Sequence, residues 1–114
     1  MFANALAFAT RDGMPVARGH TLVLPRRHCL DFFSLTPEEV SSCFSLICQV
    51  RDDLDRQDHP PDGYNIGINI GVSAGQGVAH VHLHVIPRYR GDVPNPRGGI
   101  RNLLPCELPS HHTG

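Results

Sequence analysis

The clearest pattern along the chain is an alternation of histidine and aliphatic residues from position 80 to position 85. Successive side chains of a β-strand point to opposite faces, so this pattern predicts a half-buried strand. Val81, Leu83 and Val85 would face the core, and the three histidines would share the other face. One histidine on a strand usually has a structural role, whereas three in register after a glycine-rich turn indicate a chemical one.

Three further segments have the pattern of strands. Ala3–Arg11 is apolar with small side chains and ends at a turn. His20–Leu24 is a short strand that a proline stops. Tyr64–Ile70 alternates isoleucines with asparagine or glycine at positions 65, 67 and 69. The glycine of this segment lets another group approach the backbone closely.

A helix is predicted after Thr36. Thr36, Pro37 and Glu39 have the spacing of a capping box with proline at the first helical position. Apolar residues then recur at helical spacing, at positions 40, 43, 44, 47, 50 and 54. This side of the helix should pack on a sheet or on a partner. The helix should end by Asp58, because two prolines follow at 60 and 61.

Length and charge exclude several classes of protein. The 114 residues predict one domain over residues 1–114, with an irregular tail from about residue 92. The formal net charge is −1, so no general basic field attracts nucleic acid or anionic lipid. The chain has no lysine, which excludes a Schiff-base lysine and a P-loop. No apolar run approaches the ~20 residues of a membrane span.

The cysteines indicate a reducing compartment. Cys29, Cys43, Cys48 and Cys106 form no Cys-x-x-Cys pair. The N-terminus lacks the pattern of a signal peptide. We therefore expect a cytoplasmic protein with reduced thiols.

The histidine strand suits a nucleophile better than a metal site. Neighbouring imidazoles on one face of a strand start roughly 7 Å apart and the outer two roughly 13 Å apart. Zinc binds histidine nitrogen at about 2.1 Å, so two of these residues can share an ion more easily than three. Histidine can also form a covalent intermediate when its neighbours fix its tautomer and orientation. The middle residue, His82, is the candidate nucleophile.

Several other polar residues have two possible roles. Asp12 is either a turn residue that bonds its own backbone or an acceptor for the vicinal hydroxyls of a ribose. His20 is either a packed polar residue or a partner that orients an imidazole of the histidine strand. The glycines from 71 to 77 permit a turn whose amides converge on an anion. Arginines after the histidine strand either pair with phosphates or solubilise the tail.

Three motifs in order resemble the histidine triad (HIT) family. The first is Asp12 followed by a proline, the second is Gly19-His20 and then Pro25-x-x-His28, and the third is His-x-His-x-His from His80. The resemblance implies an α+β fold in which an antiparallel sheet packs with one main helix, and a homodimer. It also implies a nucleotide substrate that is cleaved at its α-phosphorus, without a metal or other cofactor.

The resemblance also assigns roles to single residues. It implies that His82 attacks phosphorus and forms a nucleotidyl-histidine, which water or another acceptor resolves. Three further histidines would position this imidazole and contact phosphate: His80, His84 and His20. The substrate-binding residues would be Asp12 at the ribose and Asn69, Gln76 and Gly77 near the phosphates. Many members have serine or threonine where this chain has Gly77, which removes a hydroxyl that can assist the leaving group.

Two departures and one branch motif refine this picture. Arg18 replaces the usual proline before Gly-His, and the chain lacks the common Cys-x-x-Cys segment, so we expect no structural zinc. Ile86-Pro87-Arg88 and Gly91-Asp92 resemble the fragile histidine triad branch, which favours a dinucleoside polyphosphate substrate. Two alternatives remain. One is a metal-dependent hydrolase that uses His80, His82 and a distant ligand such as His20, and the other is a nucleotide-binding module without turnover.

Overall fold

A computed structural model describes residues 1–105 as four antiparallel strands and one long helix. The elements are β1 (Ala7–Arg11), β2 (Thr21–Pro25), α1 (Pro37–Asp55), β3 (Gly63–Ile68) and β4 (Leu83–Arg88). The strand order in the sheet is β1-β2-β4-β3, so β4 lies between β2 and β3. The antiparallel sheet and the single main helix confirm the predicted α+β architecture.

The helix confirms the capping prediction and corrects the apolar stripe. The Thr36 hydroxyl accepts from the Glu39 amide at 3.1 Å, and a Glu39 carboxylate oxygen accepts from the Thr36 amide at 2.9 Å. Phe44 is 65% exposed and Val40 is 38% exposed, although both were predicted to pack. Leu46 is fully buried instead. The sheet therefore covers a side of the helix that is rotated from the predicted one towards Leu46 and away from Phe44.

Two strands are shorter than predicted. The first begins at Ala7 because the Asn4 carboxamide oxygen accepts from the backbone amides of Leu6 and Ala7, which folds the start of the chain into a turn. Ala3 instead forms an isolated bridge with Phe8. The third strand ends at Ile68 rather than at residue 70.

The two faces of the sheet differ in what covers them. The inner face packs against α1, mainly through β1 and β2, and its core residues include Ala9, Val23 and Val85, at most 2% exposed. The outer face carries the residues of opposite parity, among them His84 and Leu22. The predicted alternation is therefore confirmed, since Val81, Leu83 and Val85 are buried and the three histidines are half-buried.

The histidine strand is shorter than the histidine pattern. Strand β4 begins at Leu83, and His80 and His82 lie in the extended segment before it. The neighbouring β2 ends at Pro25, which has no amide hydrogen to extend the ladder. The amide of Val81 donates instead to the carbonyl of Cys29 at 2.8 Å.

The turn into β2 requires glycine. Gly19 has a φ of +92°, a conformation that other residues rarely adopt. A Cβ at this position would lie 2.8 Å from a side-chain methyl of Leu54, so the turn packs directly on the end of α1. This contact fixes the residue that follows, His20, at the edge of the site.

In the tail, residues 99 to 103 form a short 3-10 helix, and the rest of the tail up to residue 105 has no helix or strand. Cys29, Cys43 and Cys48 are free, and Cys106 lies outside the described residues. Within residues 1–105, no helix combines the length and the apolar character that crossing a membrane requires.

Candidate active site

The outer face of the sheet brings together residues that are far apart in the chain. His84 lies on the central strand β4, opposite Leu22 of β2 and Gly67 of β3. His20 immediately precedes β2, and Asp12 immediately follows β1. Because β1, β2 and β4 are neighbours, Asp12, His20 and His84 meet at one point.

A chain of hydrogen bonds fixes the proton of His20. The amide of Val16 donates to Nδ1 of His20 at 3.1 Å, so this nitrogen must present its lone pair. The proton of neutral His20 is therefore on Nε2, which lies 2.9 Å from Nδ1 of His84 and donates to it. His84 in turn keeps its own proton on Nε2. His20 is 3% exposed, so this arrangement is enclosed by protein.

Asp12 has the turn role that the sequence left open, and its contact with a ribose stays a prediction. One carboxylate oxygen accepts from the Met14 amide at 2.8 Å, as in an Asx turn. The other lies 3.3 Å from Nε2 of His20 and 4.0 Å from Nδ1 of His84. The pKa of His84 is lowered by its burial and by the neighbouring His82 and His20, while the Asp12 carboxylate partly opposes this. His84 therefore stays neutral to a lower pH than a free histidine.

His82 presents an unprotonated nitrogen. Its Nδ1 lies 2.9 Å from the carbonyl oxygen of His80, and a carbonyl can only accept, so Nδ1 carries the proton. Nε2 of neutral His82 therefore has a free lone pair. The rings of His82 and His84 lie 5.1 Å apart, which places this lone pair beside the His20–His84 pair.

His80 lies to one side of this group. Its Nε2 donates to the carbonyl of Pro25 at 3.1 Å, and its ring lies 5.2 Å from that of His28. The imidazole of His80 thus bonds the histidine segment to the end of β2, and the backbone carbonyl of His80 orients His82. The sequence did not predict this division of roles, because it depends on where β2 ends.

The glycine-rich loop is held by its own side chains and amides. Gln76 accepts from the Gly71 amide at 2.9 Å and donates to the carbonyls of Leu30 at 2.7 Å and Val78 at 3.2 Å. The amides of residues 74, 75 and 76 donate within the loop. These amides are therefore not free for the predicted anion site, and a phosphate contact by Gln76 stays a prediction.

The remaining predicted residues lie at the border of the site. Asn69 is exposed and lines a cavity beside His84. Gly77 is exposed in a groove next to Leu30 and Val78, and a Cβ there would meet nothing within 4 Å. Their roles at the substrate stay predictions.

Sequence reasoning missed the cavity itself, which has a volume of about 390 Å³. It lies on the outer face of β3 and β4 and is bordered by the 3-10 helix of residues 99 to 103. At its far end Arg88 donates to both carboxylate oxygens of Asp92, at 2.8 and 2.9 Å, and to Asn65. The alternation of asparagine and glycine on β3 was the only signal for it in the sequence.

One group among the described residues has the spacing of metal ligands. The candidate ligand atoms of Asp12, His20 and His84 lie within 4.8 Å of one another. However, Nδ1 of His20 already accepts from the Val16 amide, so binding a metal through Nε2 would require an imidazolate. This group therefore fits a metal poorly. The set proposed in the metal alternative is not brought together, since His80 bonds to Pro25 instead.

Comparison with known proteins gives a consistent result. The model of the HIT domain matches residues 1–91. A 16.1 kDa HIT-like protein of Mycoplasma pneumoniae is 42% identical over 86 residues, which are 75% of this chain and 59% of that protein. The asymmetrical bis(5'-nucleosyl)-tetraphosphatase of Schizosaccharomyces pombe is 40% identical over 91 residues, 80% of this chain and 50% of that protein.

Two further matches extend the comparison. The bis(5'-adenosyl)-triphosphatase of Dictyostelium discoideum is 37% identical over 94 residues, 82% of this chain and 62% of that protein. The crystal structure of a HIT family protein from Bacillus anthracis superposes with a TM-score of 0.75 at 39% identity, covering 81% of this chain and 64% of that chain. This chain thus spans between 50% and 64% of the lengths of the proteins compared.

Proposed function

This chain belongs to the histidine triad (HIT) family, and on that basis we propose that it hydrolyses a dinucleoside polyphosphate through a nucleotidyl-His82 intermediate. The observation that carries the proposal is the hydrogen bond from Nδ1 of His82 to the carbonyl of His80. It leaves Nε2 of neutral His82 unprotonated and fixed in orientation, as a nucleophile requires. No metal or other cofactor takes part.

In the first step Nε2 of His82 attacks the α-phosphorus. The N–P bond forms while the bond from phosphorus to the bridging oxygen breaks, and that oxygen leaves with its electron pair as part of a nucleoside polyphosphate. Nε2–H of His84 donates to an oxygen of the reacting phosphate, because its Nδ1 accepts from His20. Donors held in place before the reaction stabilise the charge on these oxygens without reorganisation.

In the second step water attacks the same phosphorus. The O–P bond forms, the N–P bond breaks with its electron pair returning to Nε2 of His82, and the proton of the water is released to solvent. The product is a nucleoside monophosphate. Splitting one displacement into two through a covalent intermediate lowers the barrier of each.

The substrate class is supported by two relatives and by the sequence motifs. The names of the yeast and Dictyostelium relatives describe hydrolases of a dinucleoside tetraphosphate and of a diadenosine triphosphate. In this proposal Asp12 accepts from the ribose hydroxyls, and Asn69, Gln76 and Gly77 lie near the phosphates. Nucleotide binding without turnover is the alternative that the experiment below distinguishes.

We also propose that the chain acts as a homodimer. Strand β3 is an edge of the sheet, with one side of its backbone unpaired by another strand. Ile66 on this edge is 45% exposed. A second copy that pairs there would cover the unpaired backbone and Ile66. Sedimentation equilibrium measures whether the chain forms a dimer.

The test of the mechanism compares His82→Ala with His59→Ala. His59 is exposed in the loop before β3, so it is a matched histidine outside the site. Both proteins and the unaltered chain are incubated in a chelator with diadenosine triphosphate, diadenosine tetraphosphate and adenosine phosphoramidate. We expect AMP from the unaltered chain and from His59→Ala, and a loss of several orders of magnitude in His82→Ala.

Mass spectrometry after rapid quenching in base should detect a nucleotidyl group on the unaltered chain. AMP formation that persists in His82→Ala would refute the covalent route. AMP formation that requires a metal would favour the metal-dependent hydrolase. Binding of the nucleotides without product would favour the binding module.

A further inference from the structure

We propose that the cavity beside His84 holds the leaving group of the reaction and selects one with a flat, neutral aromatic part, such as the second nucleobase of a dinucleoside polyphosphate. This inference rests on the proposed function. It places the leaving group on the cavity side of His84 and the transferred nucleotide on the side of Asp12.

The cavity exists because position 67 is a glycine. Gly67 pairs with His84 across the β3–β4 ladder, so both residues belong to the outer face. A Cβ at Gly67 would meet nothing within 4 Å, and any larger side chain would extend into the open space. The volume of about 390 Å³ is within the range of small-molecule sites, and Ile86, Ile100 and Leu103 supply apolar walls.

Among the described residues that line the cavity, the positive charge of Arg88 is already paired with a carboxylate. The guanidinium of Arg88 donates to both oxygens of Asp92, at 2.8 and 2.9 Å, and to the Asn65 carbonyl oxygen at 2.7 Å. The hydrogen bonds from Arg88, together with the Tyr89 amide, lower the pKa of Asp92 to about 2, so the pair stays ionised and mutually neutralised. The planar guanidinium offers a surface on which an aromatic ring stacks, rather than a site for an anion.

Asn65 supplies a hydrogen-bond donor. Its carbonyl oxygen accepts from Arg88, which fixes the orientation of the amide. Its amide nitrogen lies near Gly99 at the cavity wall and donates to no group among residues 1–105. An aromatic heterocycle with a ring nitrogen satisfies this donor. A hydrocarbon would leave the donor unpaired, and a charged phosphate group does not suit the apolar walls.

The position of the cavity identifies it as the leaving-group side. His20 and His84 line the cavity, while His82 and Asp12 do not. Displacement at phosphorus places the attacking nitrogen and the leaving oxygen on opposite sides. Attack by His82 therefore directs the leaving group away from His82 and towards the cavity, and the transferred nucleotide stays on the side of Asp12.

The test uses two glycines of β3 that face the same way. Gly67→Val fills the cavity. Gly63→Val adds the same side chain four positions earlier on the same strand, where Gly63 pairs with Arg88 and does not line the cavity. Neither added Cβ meets an atom within 4 Å, so both variants should fold. Leu103→Trp narrows the cavity from the tail and is a second filling variant.

The measured quantity is a ratio of two kcat/KM values with the same transferred nucleotide. Diadenosine triphosphate has a nucleotide as leaving group, and adenosine phosphoramidate has ammonia. We expect the ratio of the first to the second to fall at least about tenfold in Gly67→Val and Leu103→Trp. The ratio in Gly63→Val should equal that of the unaltered chain.

Other outcomes overturn the inference. An equal fall with both substrates would mean that the cavity holds the transferred nucleotide, and an unchanged ratio would mean that the cavity is not used. If the unaltered chain hydrolyses neither substrate, the proposed function fails, but the cavity is still tested by titrating adenosine in excess AMP. The side-chain amide resonance of Asn65 should then shift in the unaltered chain and in Gly63→Val but not in Gly67→Val, and no shift in any of them would refute the site.

Discussion

The two faces of the sheet are built from the same strands but are stabilised in different ways. On the inner face, Val23 and Val85 are fully buried in one apolar cluster with residues of α1, so mainly shape and apolar area fill the space. On the outer face, His20 and His84 are held by directional hydrogen bonds from Val16 and to each other. The inner face fixes the fold, and the outer face fixes the positions of protons.

This difference predicts how substitutions separate stability from chemistry. A truncation on the inner face should lower the free energy of unfolding and leave the turnover of the folded fraction intact. A substitution in the hydrogen-bond chain of the outer face should lower turnover by more than its effect on unfolding implies.

The largest expected effect is on the inner face. Leu46→Ala should lower the free energy of unfolding by about 2–5 kcal/mol, because Leu46 is fully buried against the sheet. Phe44→Ala, two positions along the same helix, should change it by at most about 0.5 kcal/mol, because Phe44 is 65% exposed. Urea unfolding monitored by circular dichroism measures both. A large loss in Phe44→Ala that grows with protein concentration would mean that a second copy covers this residue.

The second effect is on the outer face and concerns the proton of His20. His20→Leu removes the hydrogen-bond donor to His84. We expect turnover to fall on the order of 100-fold, which is the lower end of the range seen when a general acid or base is removed. His20→Gln keeps an N–H near the position of Nε2 and should recover at least about tenfold of that loss. Steady-state rates across a pH series measure both variants. Equal rates in the two variants would refute the role of the donor.

Local sequence rules predicted what lies within one element. The alternation of histidine with Val81, Leu83 and Val85 predicted which side of the segment is buried, and the capping box predicted the start of α1. Both depend on neighbours at most a few positions away. The family resemblance added the architecture, since the strand order follows from contacts far apart in the chain.

The rest of the site depends on positions that only the folded chain brings together. The Val16 amide bonds to His20, and the Pro25 carbonyl accepts from His80 across 55 positions. Backbone groups have the same chemistry in every residue, so no sequence pattern identifies these two partners. Similarly, no sequence pattern indicated that the side-chain amide of Gln76 donates to the carbonyl of Leu30, 46 positions away.

A third effect is expected at the boundary of the inner face, where the carboxylate of Glu39 is buried beside the apolar core. Arg27 donates to both oxygens of Glu39, at 3.0 and 2.8 Å, and this pairing together with the Thr36 amide lowers the pKa of Glu39 from 4.5 to about 2. The unfolded chain therefore takes up this proton first as the pH falls. The stability that Glu39 contributes is complete above about pH 4.5 and is lost towards pH 2.

Glu39→Gln should consequently be less stable at neutral pH, and its further loss of stability between pH 4.5 and 2 should be smaller than in the unaltered chain. Glu38→Gln, its exposed neighbour in the first turn of α1, is the matched control and should follow the unaltered chain. Thermal unfolding at a series of pH values measures the difference. Parallel pH curves for Glu39→Gln and the unaltered chain would contradict the assignment.

The smallest expected effect lies in the exposed glycine-rich loop before the histidine strand, at Gly77. A Cβ at this position would meet nothing within 4 Å, and its backbone does not require glycine, so Gly77→Ser should change the free energy of unfolding by at most about 0.5 kcal/mol. The added hydroxyl supplies the donor that many family members have here, so we expect turnover of diadenosine triphosphate to rise by about two- to tenfold. Gly77→Ala adds the same carbon without the donor and should leave turnover unchanged. If Gly77→Ala raised turnover as much as Gly77→Ser, the gain would come from a stiffer loop and not from the hydroxyl donor. The loop would then act through its shape, as the residues of the inner face do.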